Sequence, residues 1–541
     1  MIHAAGAEEF GIFDDIVVGA GSAGCLLANR LSADPARKVL VLEAGGKDDW
    51  IWLHIPAGYL FAIGNPRSDW MFETEAEEGL GGRVLAYARG RVIGGSSAIN
   101  AMIYMRGQAA DYDGWRARGL PGWAWDDVLP AFLAHEDHMA PPNPFHRSGG
   151  EWRVEYPRVR WEILEAIRRA GEQAGFAPID DFNTGDNEGS SYFQVNQRRG
   201  VRWSAARAFL RPVLRRPNLG LETGVMVERV VFEGRRAVGV VFSRQGRRFL
   251  ARARGEVALC AGAIGSPTIL QWSGVGPAGA LRELGIAPVA DLPGVGSNLQ
   301  DHLQIRPVFK VSGVRTLNTD YANLLRRGLM GLDYALFRKG PLTMAPSQLG
   351  LFARSGPDQE RANLQFHFQP LSLDRWGDGL HPFGAFTASV CNLRPTSRGT
   401  VTLASADPAT PPRIAPRYLS TPEDRAVAIA SLRLARRIAA QPALAAYRPV
   451  EHRPGAEKES DEALLAGAAE LGSTIFHPVG TAAMGADEDP MAVLDARMRV
   501  RGLSGLRVID ASAMPTITSG NTNAPVVMMA EKGAGMMVAD R

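Results

Sequence analysis

The apolar positions of this chain fall into separated runs of changing period. Ile16-Val17-Val18 is followed by a glycine-rich turn and an apolar stretch reaching Leu31, and Lys38 to Gly46 reads KVLVLEAGG. Short, fully apolar runs bounded by turn residues read as buried strands, so this opening predicts strand, tight turn, helix and strand. Trp161 to Gly175 places apolar residues at helical spacing and ends at a glycine, as a capped helix would. From Asn218 to Gly262 apolar and polar residues alternate between turn signals, which predicts several strands. Pro307 to Ala456 is less regular, with strand-like pieces ANLQFHFQP and GAFTASVCNLRP. The segment PGAEKESDEALLAG reads as a solvated turn leading into a helix. The chain then returns to dense glycine, small residues and apolar strands up to its end.

At 541 residues the chain is long enough for several compact units, and its 45% apolar and 22% charged content excludes global disorder. Sixty basic against 57 acidic residues leave a net charge of +3, too small a field to argue for nucleic acid. Partners must therefore be read from sites. Cys25, Cys260 and Cys391 lie in no CxxC spacing, which disfavours a disulfide framework and a cysteine-ligated metal, and no metal is expected. The first residues lack a basic and then apolar leader, so a cytoplasmic address is expected. No run of about 18 apolar residues occurs, which predicts no spanning helix and leaves peripheral contact with the inner membrane face open.

Candidate chemistry begins at the first turn. Gly19, Gly21 and Gly24 form G-x-G-x-x-G behind the strand, with Ser22 and Ala23 inside the motif, and Glu43 ends the next strand 22 residues after Gly21. Gly19 permits the turn, Gly21 admits a pyrophosphate close to backbone, and Gly24 lets helix and strand pack closely. The helix N-terminus offers N–H groups to phosphate, and a carboxylate at Glu43 can accept from ribose hydroxyls. This unit suits FAD or NAD equally.

Four further segments carry a resemblance: GRVIGGSSAINAMIYMRG (90–107), GAIGSPTILQWSGVG (262–276), FHPVGTAAMG (476–485) and LRVIDASAMPTITSGNTNAPVVMMAEK (506–532). In order and separation they resemble the glucose–methanol–choline (GMC) flavin oxidoreductases, in particular the choline-dehydrogenase-like bacterial alcohol dehydrogenases. The resemblance implies an α/β (α+β mixed) protein with a discontinuous Rossmann-like FAD-binding domain over 1–157, 200–306 and 460–541. A substrate-binding domain with a mixed sheet would take 158–199 and 307–459. Carried over by position, Gly94, Gly95 and Ser96 would pass close to the flavin, and Asn100, Ala101 and Met102 would lie along its ring edge. Val227 would meet adenine through backbone, Asp510 and Ala511 the ribityl-phosphate, and Asn521, Thr522 and Asn523 the pyrimidine end.

The same carry-over makes His477 the base that takes the hydroxyl proton while hydride passes to flavin N5, with Asn521 holding the substrate oxygen. A neutral imidazole suits that role because its ordinary pKa is near neutrality. His302, in NLQDHLQ, reads as structural, and His367, Gln304, Phe476 and Phe366 are the candidates for the substrate pocket. Two departures narrow the expectation. Ile99 stands where some members attach flavin through histidine, so FAD should be noncovalent. Gln304 stands where choline-oxidising relatives carry Glu, which removes the charge that offsets a buried cation. An aromatic cage of Phe366, Phe368 and Trp376 remains an option for such a cation. The expected activity is oxidation of an aliphatic or aryl primary alcohol to the aldehyde, with electrons passed to a quinone, a redox protein or another acceptor. The alternatives are an alcohol oxidase using O2, an FAD-containing hydroxynitrile lyase, and a fatty-acid photodecarboxylase with Arg394 or Arg398 holding the anion.

Overall fold

The computed structural model describes residues 6–374 and 378–540; Trp376 lies outside them. The strand Glu8–Val18, the helix Ser22–Leu31 and the strand Val39–Glu43 follow in the order the opening pattern predicts. The first strand starts well before its apolar run. Glu8 to Phe13 pair with the distal half of the strand Arg247–Leu259, where Glu8 and Glu9 form ion pairs with Arg247 and Arg252. Charged, half-exposed strand residues carry no apolar signal, which is why this extension is invisible to periodicity.

The strands Glu8–Val18, Val39–Glu43, Leu219–Thr223 and Leu506–Val508 join Arg247–Leu259 in parallel, and Arg236–Arg244 and Met226–Glu233 extend that sheet antiparallel. The alternating stretch thus supplies four of the seven strands of this sheet, turning at Gly234 and Gly246 with positive φ. Its central strands are buried on both faces, as parallel sheets require. The helix Asn523–Ala539 packs against Ser22–Leu31 and is apolar around most of its circumference because most of it is interior.

A second sheet runs in the order Val450–Arg453, Val308–Lys310, Ala385–Asn392, Leu364–Gln369, Leu349–Ala353, Gly189–Tyr192. Its named ladders are all antiparallel, whereas the first sheet mixes parallel and antiparallel ladders. Two short strands placed by sequence with the FAD-binding segments, Leu303–Ile305 and Ser473–Thr474, are hydrogen-bonded into this second sheet. One face of it carries Leu364, Phe366, Phe368, Leu349 and Leu351 into a core with Ile163, Leu164 and Leu432 from the helices Glu162–Gln173 and Pro422–Ala439. Successive residues of a strand point to opposite faces, so Gln365, His367 and Gln369 look the other way, towards the first sheet. The irregular block also yields the helices Leu317–Ala322 and Leu324–Phe337, and the charged turn leads into the helix Asp461–Leu471, capped by Ser460.

Gly24 is where the first strand and helix meet. A Cβ there would lie 1.8 Å from the carbonyl oxygen of Gly19, which is backbone and cannot swing aside. Gly24→Ala is expected to cost at least about 1–3 kcal/mol of stability, read as a lower melting temperature beside a surface control such as Gly279→Ala, where a Cβ meets open space.

Candidate active site

Between the two sheets lies a cavity of about 760 Å³. It runs from the Gly19–Gly21 turn past Gly95, Ser96 and Asn100 to His367, His477 and Asn521 on the side of the second sheet. Three helices begin on its wall: Ser22–Leu31, Gly262–Trp272 and Asn523–Ala539, none with a side-chain N-cap. Uncapped N-termini leave N–H groups and the positive ends of helix dipoles for an anion. Ser22 Oγ donates to Asn523 Oδ1 at 2.7 Å, so two of these termini are tied together although 501 positions separate them.

The glycine motifs meet back to back. Gly94 N–H donates to Ala20 O at 2.7 Å, and a Cβ on Gly95 would come within 2.7 Å of the Gly21 Cα. Gly94 itself, with φ 93°, shapes this turn from behind the cavity wall, as Gly24 does on the other side. Glu43 is buried, and its two oxygens accept from Ala20 N (2.8 Å) and Gly45 N (2.7 Å). Burial pushes its carboxyl up to about 7 against those hydrogen bonds. Asp510 likewise accepts from Gly262 N and Ser512 N, each at 2.8 Å, and lines the cavity with Ala511. Val227 sits with Val225 and Glu228 at the nucleotide end. Asn100 bridges, its Oδ1 accepting from Met102 N and from the buried Arg202, and Ala101, Met102 and Ile99 complete that wall. Ile99 offers no nucleophile to the space.

At the second sheet, a chain of hydrogen bonds fixes where the protons are. His302 Nε2 lies 3.1 Å from the carbonyl oxygen of Leu393, and a carbonyl only accepts, so Nε2 carries the hydrogen. His302 Nδ1 is then a bare acceptor, and it faces His477 Nδ1 at 3.0 Å, which must donate. His477 Nε2 is left as the lone pair, 3.1 Å from the amide Nδ2 of Asn521. The Asn521 orientation is fixed in turn, because its Oδ1 accepts from Gln365 Nε2 at 3.3 Å. Burial drives His477 well below its ordinary 6.5, helped by His302, His367 and Arg89, and burial pushes His302 down to about 4. The result is a neutral base whose one acceptor nitrogen faces the amide N–H of Asn521.

Asp301 holds the segment that presents this imidazole. Its Oδ1 accepts from His477 N at 2.8 Å, and its Oδ2 takes Thr474 Oγ1 (2.6 Å), Tyr87 OH (3.0 Å) and Tyr418 OH (2.5 Å). Phe476 lies between with φ 66°, its N–H on Thr474 Oγ1 and its carbonyl on Arg89. A phenylalanine in the left-handed region persists only where its surroundings hold it, as they do here. His367 lines the cavity with its ring stacked on Phe193, and burial pushes it down to about 3 against a hydrogen bond from Asn521.

Family models described as GMC oxidoreductase match residues 13–304 and 395–530. The chain belongs to the GMC oxidoreductases. It is 41% identical to an alcohol dehydrogenase [acceptor] of Pseudomonas putida, over 97% of this chain and 96% of that protein. It is also 41% identical to the mitochondrial choline dehydrogenase of Homo sapiens, over 99% and 91% respectively. Among solved structures, pyridoxine 4-oxidase from Mesorbium loti matches with a TM-score of 0.88 and 32% identity, covering 97% of this chain and 98% of that one. The protein is thus an FAD-dependent enzyme that oxidises CH–OH donors, and the uncapped helix termini and paired glycine turns of its cavity suit a dinucleotide.

Against the GMC signatures, the structure gathers His477, Asn521, His367, Gln304 and Phe476 around one end of the cavity. Gln304 is less free than expected, its Nε2 donating to Thr474 O and its Oε1 accepting from Ser389 Oγ. Phe366 is a correction. It occupies the opposite face of its strand from His367 and is buried in the helix-backed core, stacked on Phe368, so neither ring forms a cage at the cavity. Arg394 donates to the carbonyls of Arg361 and Ala362, and Arg398 to those of Pro395 and Ser397 in its own loop, and neither lines the cavity. Sequence reasoning missed the part of His302 and Asp301. The adjacent Asp-His pair was the available signal, but only the fold shows that it reaches His477.

His367 carries a pH signature. Its ordinary value of 6.5 applies in the unfolded chain, and in the fold it is pushed down to about 3. The neutral ring's contribution is complete above pH 6.5 and is lost as pH falls below it, at about 1 kcal/mol per pH unit for one proton. The melting-temperature advantage of the wild type over His367→Gln should therefore be smaller at pH 5 than at pH 7. An unchanged gap would mean the ring is protonated alike in both states.

Proposed function

We propose that this GMC oxidoreductase oxidises an uncharged primary alcohol, aliphatic or aryl, to the aldehyde, and hands the electrons to a quinone or similar acceptor rather than to oxygen. The observation that carries the reading is the proton order along Leu393, His302, His477 and Asn521, which leaves one basic nitrogen and one donor side by side at the cavity. The alcohol O–H would donate to His477 Nε2, and Asn521 Nδ2 would steady the oxygen as it loses its proton. FAD, when bound, supplies the two-electron acceptor for the Cα hydride. His302 keeps His477 in the tautomer with Nε2 unprotonated, a positioning role, and Asp301 fixes the backbone that aims the ring.

The nucleotide would lie along the glycine turns, with Gly19, Gly21, Ser22, Ala23 and Glu43 at the adenosine and pyrophosphate, and Val227 beside adenine. Gly95, Ser96, Asn100, Ala101, Met102, Asp510, Ala511, Thr522 and Asn523 would hold the remainder. Ile99 favours noncovalent attachment, since no side chain there can bond to the ring.

Neutral substrates are favoured over choline by charge. Of the carboxylates on the cavity wall, Glu43 bonds Ala20 N, Asp510 bonds Gly262 N, Glu228 adjoins Val227, and Asp407 lies in the loop after the strand Thr400–Thr402. Asp301 is spent behind His477. A quaternary ammonium at this end would be desolvated without an anion. The likeness to an alcohol dehydrogenase named for an acceptor supports the second half of the reading.

The test is anaerobic stopped-flow mixing with a panel of alcohols, followed by readmission of oxygen. Bleaching of the oxidised flavin with neutral alcohols and slow reoxidation by air are expected, and bleaching by no alcohol would favour a lyase. His477→Ala should slow flavin reduction by about 10²–10⁴-fold with the flavin spectrum kept. His302→Leu should slow it less and His302→Gln should recover part of the rate, because a Gln amide can accept from His477 Nδ1–H and donate to Leu393 O together. Equal rates for Leu and Gln would remove the tautomer argument. Gln304→Glu should raise the choline-to-neutral-alcohol rate ratio, at the expense of the hydrogen bond to Thr474 O.

A further inference from the structure

The helix Leu324–Phe337 stands out from the body of the protein. Of its 14 residues, Tyr334 is the buried one. Leu325, Leu329, Leu332 and Leu336 recur at the i, i+4, i+7, i+11 spacing of a single helical face. At about 100° per residue, Leu325 and Tyr334 lie half a turn apart, so the leucine face points directly away from the protein. Leu325 is 75% exposed, Leu336 63%, and Leu324 and Phe337 at the two ends 80% and 61%. An amphipathic helix normally turns such a face inward; this one is reversed.

The surround is basic. Between residues 315 and 339 five Lys and Arg stand against Asp320 and Asp333. Asp320 is buried and already pairs with Arg315 and Arg326, which leaves Arg327, Arg338 and Lys339 as surplus cations. Arg158 adds another, donating to the Arg338 carbonyl at 3.1 Å, and the exposed Arg198 and Arg199 precede Gly200, which abuts Arg338.

The helix also adjoins the cavity wall. It leads through Gly340 into the turn Pro341–Thr343, which packs on Pro56–Gly58, and Pro346, Ser347, Tyr59 and Ile63 from these two segments line the cavity. Leu60 and Phe61, on the outer side of the same segment as Tyr59, are about half exposed.

We propose that this face is a membrane-docking surface, in which the helix lies in the plane of an anionic phospholipid bilayer, leucines among the acyl chains and arginines at the headgroups. A 14-residue helix is about 21 Å long, too short to span a core of about 30 Å and suited to lying on it. A second copy of the chain fits worse. A symmetric contact would oppose two basic rims and set like charges against each other across the seam. The docking stands apart from which alcohol is oxidised.

The holoenzyme is co-sedimented with vesicles of phosphatidylcholine alone and of phosphatidylcholine with about a third phosphatidylglycerol, and its oligomeric state is followed by sedimentation velocity. Binding to the anionic vesicles, weakened by salt and lowered about tenfold in Leu329→Ser/Leu332→Ser, is the expected result. Flavin reduction of that variant by a soluble alcohol should match the wild type, which shows it folded. Equal vesicle binding by both proteins, or none by either, overturns the proposal. So does a wild-type dimer that the double variant dissolves without vesicle binding, which would assign the face to a second copy.

Discussion

The site rests on one contact, the 3.0 Å hydrogen bond between two imidazoles. Two neutral histidines side by side have an ambiguous proton unless something outside the pair decides it. Here the Leu393 carbonyl decides, and the choice passes through His302 to His477 as an ordered sequence of donors and acceptors. The depressed pKa values belong to the same design: a protonated ring at either position would break the order, and burial keeps both neutral. Nearby features serve this contact. Asp301 gathers two tyrosines, a threonine and the His477 backbone amide, so the backbone that carries the ring cannot shift without breaking a buried carboxylate's hydrogen bonds.

The two sheets divide the work by their chemistry. The nucleotide-side sheet has parallel central strands buried on both faces, which suits a wall that ends in helix N-termini. The second sheet is antiparallel and two-faced, with leucine and phenylalanine against helices, His367 and Gln369 against the cavity and Gln365 against Asn521. Polar groups on a fully buried face are tolerated because they pair with each other or meet a bound molecule.

Much of this was legible beforehand. The glycine turn, the first strand–helix–strand and the alternating stretch announce themselves because backbone conformation and burial period leave direct marks on residue choice. His477 and Asn521 were legible through the family's motifs. What stayed hidden depended on tertiary pairing. Phe366 and His367 are neighbours in sequence, and only the strand's direction in the sheet decides which one sees the cavity. His302 looked structural because its partner is 175 positions away. The helix Leu324–Phe337 escaped notice in an irregular block, since a leucine repeat says that a face is apolar but not which way it turns.

The hydrogen bond between Ser22 and Asn523 ties the start of the nucleotide cradle to its finish across 501 positions. A ribosome making this chain releases the first glycine turn long before the last helix exists. The cradle is therefore complete only once the helix Asn523–Ala539 has been made and has folded back against the first glycine turn, so its first and last parts meet late.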